Sequence, residues 1–252
     1  MSCNEPVMDI ENTRRQALTI DGIDPRADEY ASILRESLKN DFRQFVDFFA
    51  DPRRLKAMAQ LLQAYFAAPQ GWVLNVGCGP FATEFFVQSL HRHSVVSFDY
   101  TRAFAPIYSA LRARGHLANT SFFIGNVLST EFAPETFDLI IMHDLLYEPM
   151  LDLSLLFRKY DRFLRPGGFF FLTVLDMRTR WLWKLLGREK PCKRYEIPAV
   201  LAEIRACGYQ VLDCVPWSLQ ARGRLNQVFK QLLWRGFGLA NEHAILARKA
   251  PA

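Results

Sequence analysis

WVLNV (72–76) is a short, continuous apolar run, and GCGP (77–80) follows it directly, ahead of a stretch of helical length at 80–91. A strand that is apolar at successive positions, rather than at every second one, suits a sheet covered by helices on both faces. The same texture recurs at SVVSFD (94–99), SFFIGN (121–126), FDLIIM (137–142) and FFFLTV (169–174), separated by helical-length stretches at 103–114 and 148–163. Short apolar strands alternating with helices specify a doubly wound α/β domain with a parallel sheet. The tail adds a helix over 197–206, a strand GYQVLDCV (208–215), a helix near 222–236 and a last strand HAILARK (243–249), which brings the expected sheet to seven strands.

Upstream of the first strand, Tyr30, Ile33, Leu34, Leu38, Phe42, Phe45, Val46 and Phe49 recur at helical spacing, and Leu55, Met58, Leu61, Leu62 and Tyr65 continue it after Asp51-Pro52. That pattern predicts two helices. Residues 1–25 are polar and read as a loosely ordered arm. The expected organisation is an arm and cap helices over 1–54, then one α/β domain over 55–252 with a lid-like insertion at 177–196.

The chain has 252 residues, 50% apolar and 23% charged, which excludes global disorder and is large enough to bury a core without disulfide or metal staples. The net charge of +5 is local: 178–194 holds seven basic residues and one acid, net +6, so the remainder sums to −1. Five cysteines without a C-x-x-C pair support neither a disulfide framework nor a zinc site, and no metal is expected. The run from Leu61 to Thr83 is uncharged and long enough to span a bilayer, but Pro69, Gly71, Gly77, Gly79 and Pro80 would break a membrane helix. With no apolar stretch near Met1 to serve as a signal, the expectation is a soluble, cytoplasmic protein.

In open α/β sheets ligands bind beyond the C-terminal ends of the strands. Gly77 and Gly79 occupy such an end, and glycine permits both tight turns and close approach by a ligand. Asp99 closes the second strand 20 residues after Gly79, a position from which a carboxylate can accept hydrogen bonds from ribose hydroxyls. Read literally, Gly77-x-Gly79-x-x-Ala82 resembles a nicotinamide dinucleotide fingerprint.

Three features together resemble the class I methyltransferase family instead: the GCGP turn, the Arg165-Pro166-Gly167-Gly168 turn before the fifth strand, and the closing helix, GYQVLD, helix, HAILARK. The resemblance covers roughly 55–249. It implies a Rossmann-like sheet, mostly parallel with an antiparallel last strand, and S-adenosyl-L-methionine as cofactor. Carried over by position, Gly77 and Gly79 would face the methionine part and sugar, Asp99 the ribose, and Tyr100 the adenine. Asn126 and Val127 would lie at the adenine edge and His143 at the methyl-transfer face. Asn75, also at a cofactor position, and Asn126 stand where the family commonly has acids, so two anionic contacts are replaced by carboxamides.

Methyl transfer requires alignment above all, and a base only when the acceptor carries a proton that must leave. The segment Met142-His143-Asp144-Leu145-Leu146-Tyr147-Glu148 offers an imidazole, two carboxylates and a phenol at the ligand edge, which makes His143, Asp144 and Tyr147 the candidate catalytic residues. The bland alternative has His143 packing beside the cofactor and Asp144 capping the helix expected near 148. The insertion TRWLWKLL (179–186) alternates Trp and Leu with Arg180 and Lys184, which suits a lid over an apolar or aromatic small-molecule substrate, a peripheral membrane contact through 178–194, or tryptophans packed on the core. Arg222, Arg224, Lys230 and Arg235 extend the basic face or simply solvate a helix. Nucleic-acid modification is disfavoured, because MHDL (142–145) follows the fourth strand where an Asn-Pro-Pro-Tyr type motif would be expected. Two rival reactions stay open: transfer or cyclisation of the aminocarboxypropyl arm with release of methylthioadenosine, and a catalytically silent partner protein.

Overall fold

In the computed structural model, residues 26–38, 40–52, 55, 58–62, 71–187, 191–217 and 224–251 are described. The polar arm of 1–25 lies outside them, as do Arg188, Glu189, Lys190 and Arg222.

Seven strands form one sheet: β1 (Trp72–Val76), β2 (Ser94–Asp99), β3 (Thr120–Ile124), β4 (Phe137–Met142), β5 (Leu164–Leu175), β6 (Tyr209–Pro216) and β7 (Glu242–Lys249). Their order is β3-β2-β1-β4-β5-β7-β6, with β7 antiparallel to both of its neighbours and every other pairing parallel. The chain steps from β1 to β2 on one side and returns to lay β4 on the other, so the topological switch lies beyond the C-terminal end of β1. That is where the glycine turn falls.

Successive side chains of a strand point to opposite faces, and both faces are dry. Val73, Leu139, Ile141, Phe171 and Leu246 pack on one face with Tyr30, Ile33 and Leu34 of α1 (Arg26–Ser37), and with Met58, Ile107 and Leu111. Leu74, Val76, Ile140, Met142, Phe170 and Leu172 pack on the other with Leu156, Phe157 and Tyr160 of α5 (Leu153–Asp161) and with Val200 and Ile204 of α7 (Ile197–Ala206). Each such side chain contributes roughly 1.5–3 kcal/mol on leaving water, which is why the strands read as unbroken apolar runs.

Several boundaries differ from the sequence expectation. The first cap helix is divided: α1 ends at Ser37, a 3-10 segment covers Asn40–Phe45, and α2 is the short Val46–Phe49. The helix after the glycine turn is α3 (Ala82–Phe86), continued by a 3-10 segment over Gln88–Arg92; α4 is Ala105–Ala113. Helix α5 starts at Leu153 rather than near 148, because Asp152 supplies the cap by accepting from Leu155 N at 2.9 Å. Asp144 is not that cap; it has a left-handed backbone, φ +53°. The RPGG turn lies inside β5 as a bulge, with Leu164 opposite Phe137 and Phe169 already opposite Leu139. Arg165 braces the bulge on both oxygens of Asp138, at 3.0 and 3.2 Å. Among the described residues, no helix is long and apolar enough to cross a membrane.

Candidate active site

The turn after β1 is built largely from backbone. Gly77 N and Cys78 N both donate to Phe98 O at 3.0 Å. Gly77 has φ +66°, and a Cβ there would meet Leu145 Cδ1 at 2.8 Å, so the position requires glycine twice over. Gly79 has φ +59° with no heavy atom within 4 Å of where its Cβ would be, so open space lies over the turn. Its N–H donates to Asp99 Oδ2 at 3.0 Å, and Thr101 N donates to Asp99 Oδ1 at 3.0 Å. Burial pushes the Asp99 carboxyl above its usual range, against the backbone donors of Thr101, Gly79 and Tyr100 that favour its charge. Tyr100, next in the chain, is 77% exposed.

Phe81 closes the turn in a left-handed conformation, φ 68°, rare for a bulky residue. Its ring is held by Phe122 at 4.9 Å and Tyr108 at 5.4 Å, which keeps the strained backbone in place. The turn is also tied to α1, since Tyr30 OH donates to Pro80 O at 2.6 Å.

Asn75 is buried beneath this turn, and its Nδ2 donates to Glu84 Oε1 at 2.7 Å. Ser97 Oγ donates to the same oxygen, while Glu84 Oε2 has no hydrogen-bond partner. Burial raises the Glu84 carboxyl against those two hydrogen bonds, and its charge raises the Cys78 thiol and the Tyr30 phenol further. The carboxylate that the strand position lacks is therefore present nine residues later, in the helix after the glycine turn. Glu84 escaped the sequence reading, although an acid in the apolar run FATEFFV (81–87) was a signal.

At the end of β3, Asn126 is exposed and its Oδ1 accepts from Leu128 N at 2.8 Å. The carboxamide oxygen thus closes its own loop. Val127 O accepts from Tyr160 OH at 2.9 Å, fixing this loop to α5.

The end of β4 brings His143, Asp144 and Tyr147 together in one loop. His143 Nε2 stands 3.7 Å from Asp144 Oδ2, and Asp144 N donates to Thr173 Oγ1 on β5 at 3.0 Å. The His143 ring meets the Trp217 indole edge-on at 5.2 Å, and Trp217 rests on Phe171 at 5.8 Å. Trp217 is buried and its Nε1 has no hydrogen-bond partner. It follows β6 at the same edge of the sheet, and the sequence reading passed over it because PW (216–217) carries no motif. Burial, then the charges of Asp144, Glu148, Cys192 and Asp99, push the Tyr147 phenol well above its usual range.

Beyond β5 the insertion begins with a polar knot. Buried Asp176 accepts from Arg178 N at 2.8 Å and from the Arg178 guanidinium at 2.7 Å. Arg194 donates to Asp176 O, Thr179 Oγ1 and Asn241 Oδ1 at 3.1, 3.0 and 3.2 Å, and Trp183 Nε1 donates to the same Asn241 oxygen. The chain returns along the β4 loop, where Lys193 N donates to Tyr147 O at 2.7 Å and Tyr195 OH to Leu146 O at 3.0 Å. Of the alternatives for the insertion, core packing of both tryptophans does not hold for Trp181, which is 56% exposed on α6 (Arg180–Leu185), a helix with no buried residue.

Residues 73–168 match a sequence-family model described as a methyltransferase domain. That segment, 38% of the chain, is similar to a methyltransferase domain. Over 96 residues the chain is 29% identical to phosphoethanolamine N-methyltransferase 1 of Triticum aestivum, a match that spans 38% of this chain and 19% of that protein. The methyltransferase fold extends well past the matched segment. A magnesium protoporphyrin IX methyltransferase from Synechocystis PCC 6803, solved with S-adenosylhomocysteine bound, superposes with a TM-score of 0.62 over 88% of this chain and 94% of that one at 12% identity. A Burkholderia thailandensis 1,6-didemethyltoxoflavin-N1-methyltransferase, solved with bound 1,6-didemethyltoxoflavin and S-adenosylhomocysteine, gives 0.58 over 92% and 93% at 17% identity. At these identities the likeness is one of fold.

Proposed function

We propose that this protein is an S-adenosylmethionine-dependent methyltransferase acting on a small apolar or aromatic metabolite. The observation that carries the reading is the open space over Gly79 beside Asp99, whose second oxygen fixes the Gly79 N–H. A carboxylate held by backbone donors at the end of β2, next to an uncovered turn at the topological switch, fits a ribose. The two structural neighbours and the wheat relative act in the same direction, since all three are methyltransferases by name.

In this reading Asp99 accepts from the ribose hydroxyls, and exposed Tyr100 lies along the adenine. Asn126 and the backbone of Val127 meet the adenine edge as donors, because the Asn126 oxygen is already used by Leu128 N. Gly77 and Gly79 keep the turn low enough for the methionine arm. Asn75 acts indirectly, by holding buried Glu84 under the turn. The bound cofactor would supply a methyl group on sulfur that is already activated for transfer.

The chain's own contribution at the acceptor side is position and proton handling. His143 is the group that would take a proton from an acceptor hydroxyl or amine, with Asp144 at 3.7 Å to stabilise the imidazolium. Tyr147, kept protonated, serves as a hydrogen-bond donor rather than a base. Trp217 and Phe171 provide an aromatic wall, and the unpaired Trp217 N–H is a donor that a polar atom of the substrate would satisfy; a buried unpaired donor costs about 1–3 kcal/mol.

The test is calorimetric titration with S-adenosylhomocysteine and with NADPH, followed by turnover on aromatic and aliphatic acceptors with chromatography of the nucleoside product. Release of S-adenosylhomocysteine is expected. Methylthioadenosine as the product would replace methyl transfer with chemistry on the aminocarboxypropyl arm, and tighter binding of NADPH would remove the cofactor assignment.

A further inference from the structure

Helix α1 lies in what the sequence reads as a cap, yet its first turn reaches the glycine turn after β1 and the helix behind it. Arg26 and Tyr30 are four residues apart, so they share one face of α1. Tyr30 is fully buried, and its OH donates to Pro80 O at 2.6 Å. Arg26 donates from Nη1 to Phe85 O at 3.0 Å and from Nη2 to Phe86 O at 3.4 Å. One face of α1 therefore holds both ends of the segment 80–86. The rings are gripped as well: Tyr30 stacks on Phe85 at 4.9 Å and meets Phe86 edge-on at 5.1 Å, and the Arg26 guanidinium lies 5.5 Å from the Phe85 ring centroid.

The segment needs such a splint. Helix α3 has five residues, too few to be stable by its own hydrogen bonds, and Arg26 supplies donors to the carbonyls at its end. Pro80 O and Phe81 N belong to one peptide unit. Tyr30 fixes the carbonyl, Phe81 N donates weakly to Cys78 O at 3.4 Å, and Phe81 then adopts its strained φ of 68°. Gly79, whose N–H is bonded to Asp99, immediately precedes Pro80. Helix α1 is itself anchored to the chain just past α4, since Glu29 Oε1 lies 2.9 Å from His116 Nε2 and Arg114 donates to Glu36 Oε2 at 2.8 Å. Those bonds make it a strut between α4 and the turn.

We propose that Tyr30 and Arg26 are positioning residues for the cofactor, through which α1 sets the glycine turn in the shape that receives the methionine arm. They act through the backbone of 79–81 rather than by touching the cofactor. The inference rests on the reading that this turn holds S-adenosylmethionine. A Tyr30 that only filled the core would matter through its ring, because Phe85 and Phe86 pack on it; the hydroxyl is the part that reaches the turn. Without the hydroxyl, Pro80 O loses its donor, and the peptide ahead of Phe81 is free to rotate toward an unstrained backbone. Such a rotation would draw Gly79 N–H away from Asp99 Oδ2, so the floor of the turn and the carboxylate beside it would lose their setting together.

Tyr30→Phe in the full chain, which keeps the ring and removes the hydroxyl, tests this beside a matched control. Tyr209→Phe is that control: Tyr209 is buried and its OH donates to Asp161 Oδ1 at 2.7 Å, at the opposite edge of the sheet from the turn. Melting temperature, calorimetric affinity for S-adenosylhomocysteine and amide hydrogen exchange without ligand are measured on each. Both variants should lose melting temperature. Only Tyr30→Phe should weaken S-adenosylhomocysteine, by about five- to tenfold, the equivalent of one hydrogen bond. Only it should speed exchange at Gly77, Cys78, Gly79 and Phe81. Arg26→Lys, which removes the forked pair of donors, should act in the same direction by about two- to threefold, and it stands in should Tyr30→Phe fail to fold. Parent-like affinity together with parent-like exchange overturns the inference. So does an equal loss of affinity in Tyr209→Phe, which would reduce the effect to general stability. A parent chain that binds no S-adenosylhomocysteine removes the cofactor reading alone; exchange at the turn, read without ligand, still decides whether α1 sets its shape.

Discussion

On the β1–β3 side of the sheet edge, Asp99 and Asn126 accept hydrogen bonds from the backbone N–H groups of Gly79, Thr101 and Leu128. On the β4–β7 side, Asp176, Arg178, Arg194, Thr179, Asn241 and Trp183 rely mainly on one another's side chains. Backbone donors are set by the sheet and cost little further ordering, so the first half presents its acceptors in a fixed geometry. A side-chain network has to order long, rotamer-rich groups before it gains anything. The first arrangement suits a ligand site of fixed geometry; the second suits a region whose order depends on its own side chains.

The largest effect that would break this contrast is at Gly77. Gly77→Ala should destabilise the fold by about 1–3 kcal/mol for the left-handed backbone, and by about 1–3 kcal/mol more for the clash with Leu145. Denaturant unfolding reads it directly, and stability within about 0.5 kcal/mol of the parent would mean that the turn is softer than its hydrogen bonds imply.

Next is Asp99→Ala, which should weaken S-adenosylhomocysteine binding by roughly 1.5–3 kcal/mol, the worth of a hydrogen bond to a charged group. Calorimetry giving an unchanged affinity would take Asp99 off the ribose. The pH dependence sharpens the point. The Asp99 carboxyl is raised by burial, so its ionisation costs the fold, and stability attributable to this group increases as pH falls through its elevated pKa. Cofactor affinity needs the ionised form and should fall over the same window, which lies above the usual aspartate range. Opposite slopes for melting temperature and affinity, both absent from Asp99→Asn, are expected.

The two tryptophans of the insertion test the other half. Trp183→Ala removes the indole donor to Asn241 and should cost about 1–3 kcal/mol, whereas Trp181→Ala, at an exposed site, should stay within about 0.5 kcal/mol. Equal melting losses would place Trp181 in the core after all. The smallest effect is at Asn126: Asn126→Asp loses the donor that the adenine edge would use, and affinity should fall by about 1 kcal/mol or less with the fold intact.

The strands were legible because each is buried on both faces, and a two-sided burden of apolar contact writes itself into consecutive residues such as Val73, Leu74 and Val76. Gly77, Gly79 and Asp99 were legible for a related reason, since a backbone turn needs particular residues at particular spacing. Helix starts were less so: Asp144 and Asp152 both precede a helical-looking stretch, and the left-handed backbone at Asp144, which leaves the cap to Asp152, follows from how the β4 loop crosses to Thr173.

The sequence by itself determined the alternation of strands and helices, the glycine turn with its acid, and the cluster after β4, because these depend on neighbours within a few residues or on a period along the chain. Only the tertiary structure decided that Asn75 and Ser97 both donate to Glu84, that Trp217 stands against His143, and that Trp183 turns inward to Asn241 while Trp181 faces solvent. Those partners lie 9 to 74 residues apart in the chain. Their meeting is set by strand register and by the return of the chain from β6 and β7 to the edge where β4 ends. No local propensity encodes a contact made that way; it exists only once the sheet has closed in the order β3-β2-β1-β4-β5-β7-β6.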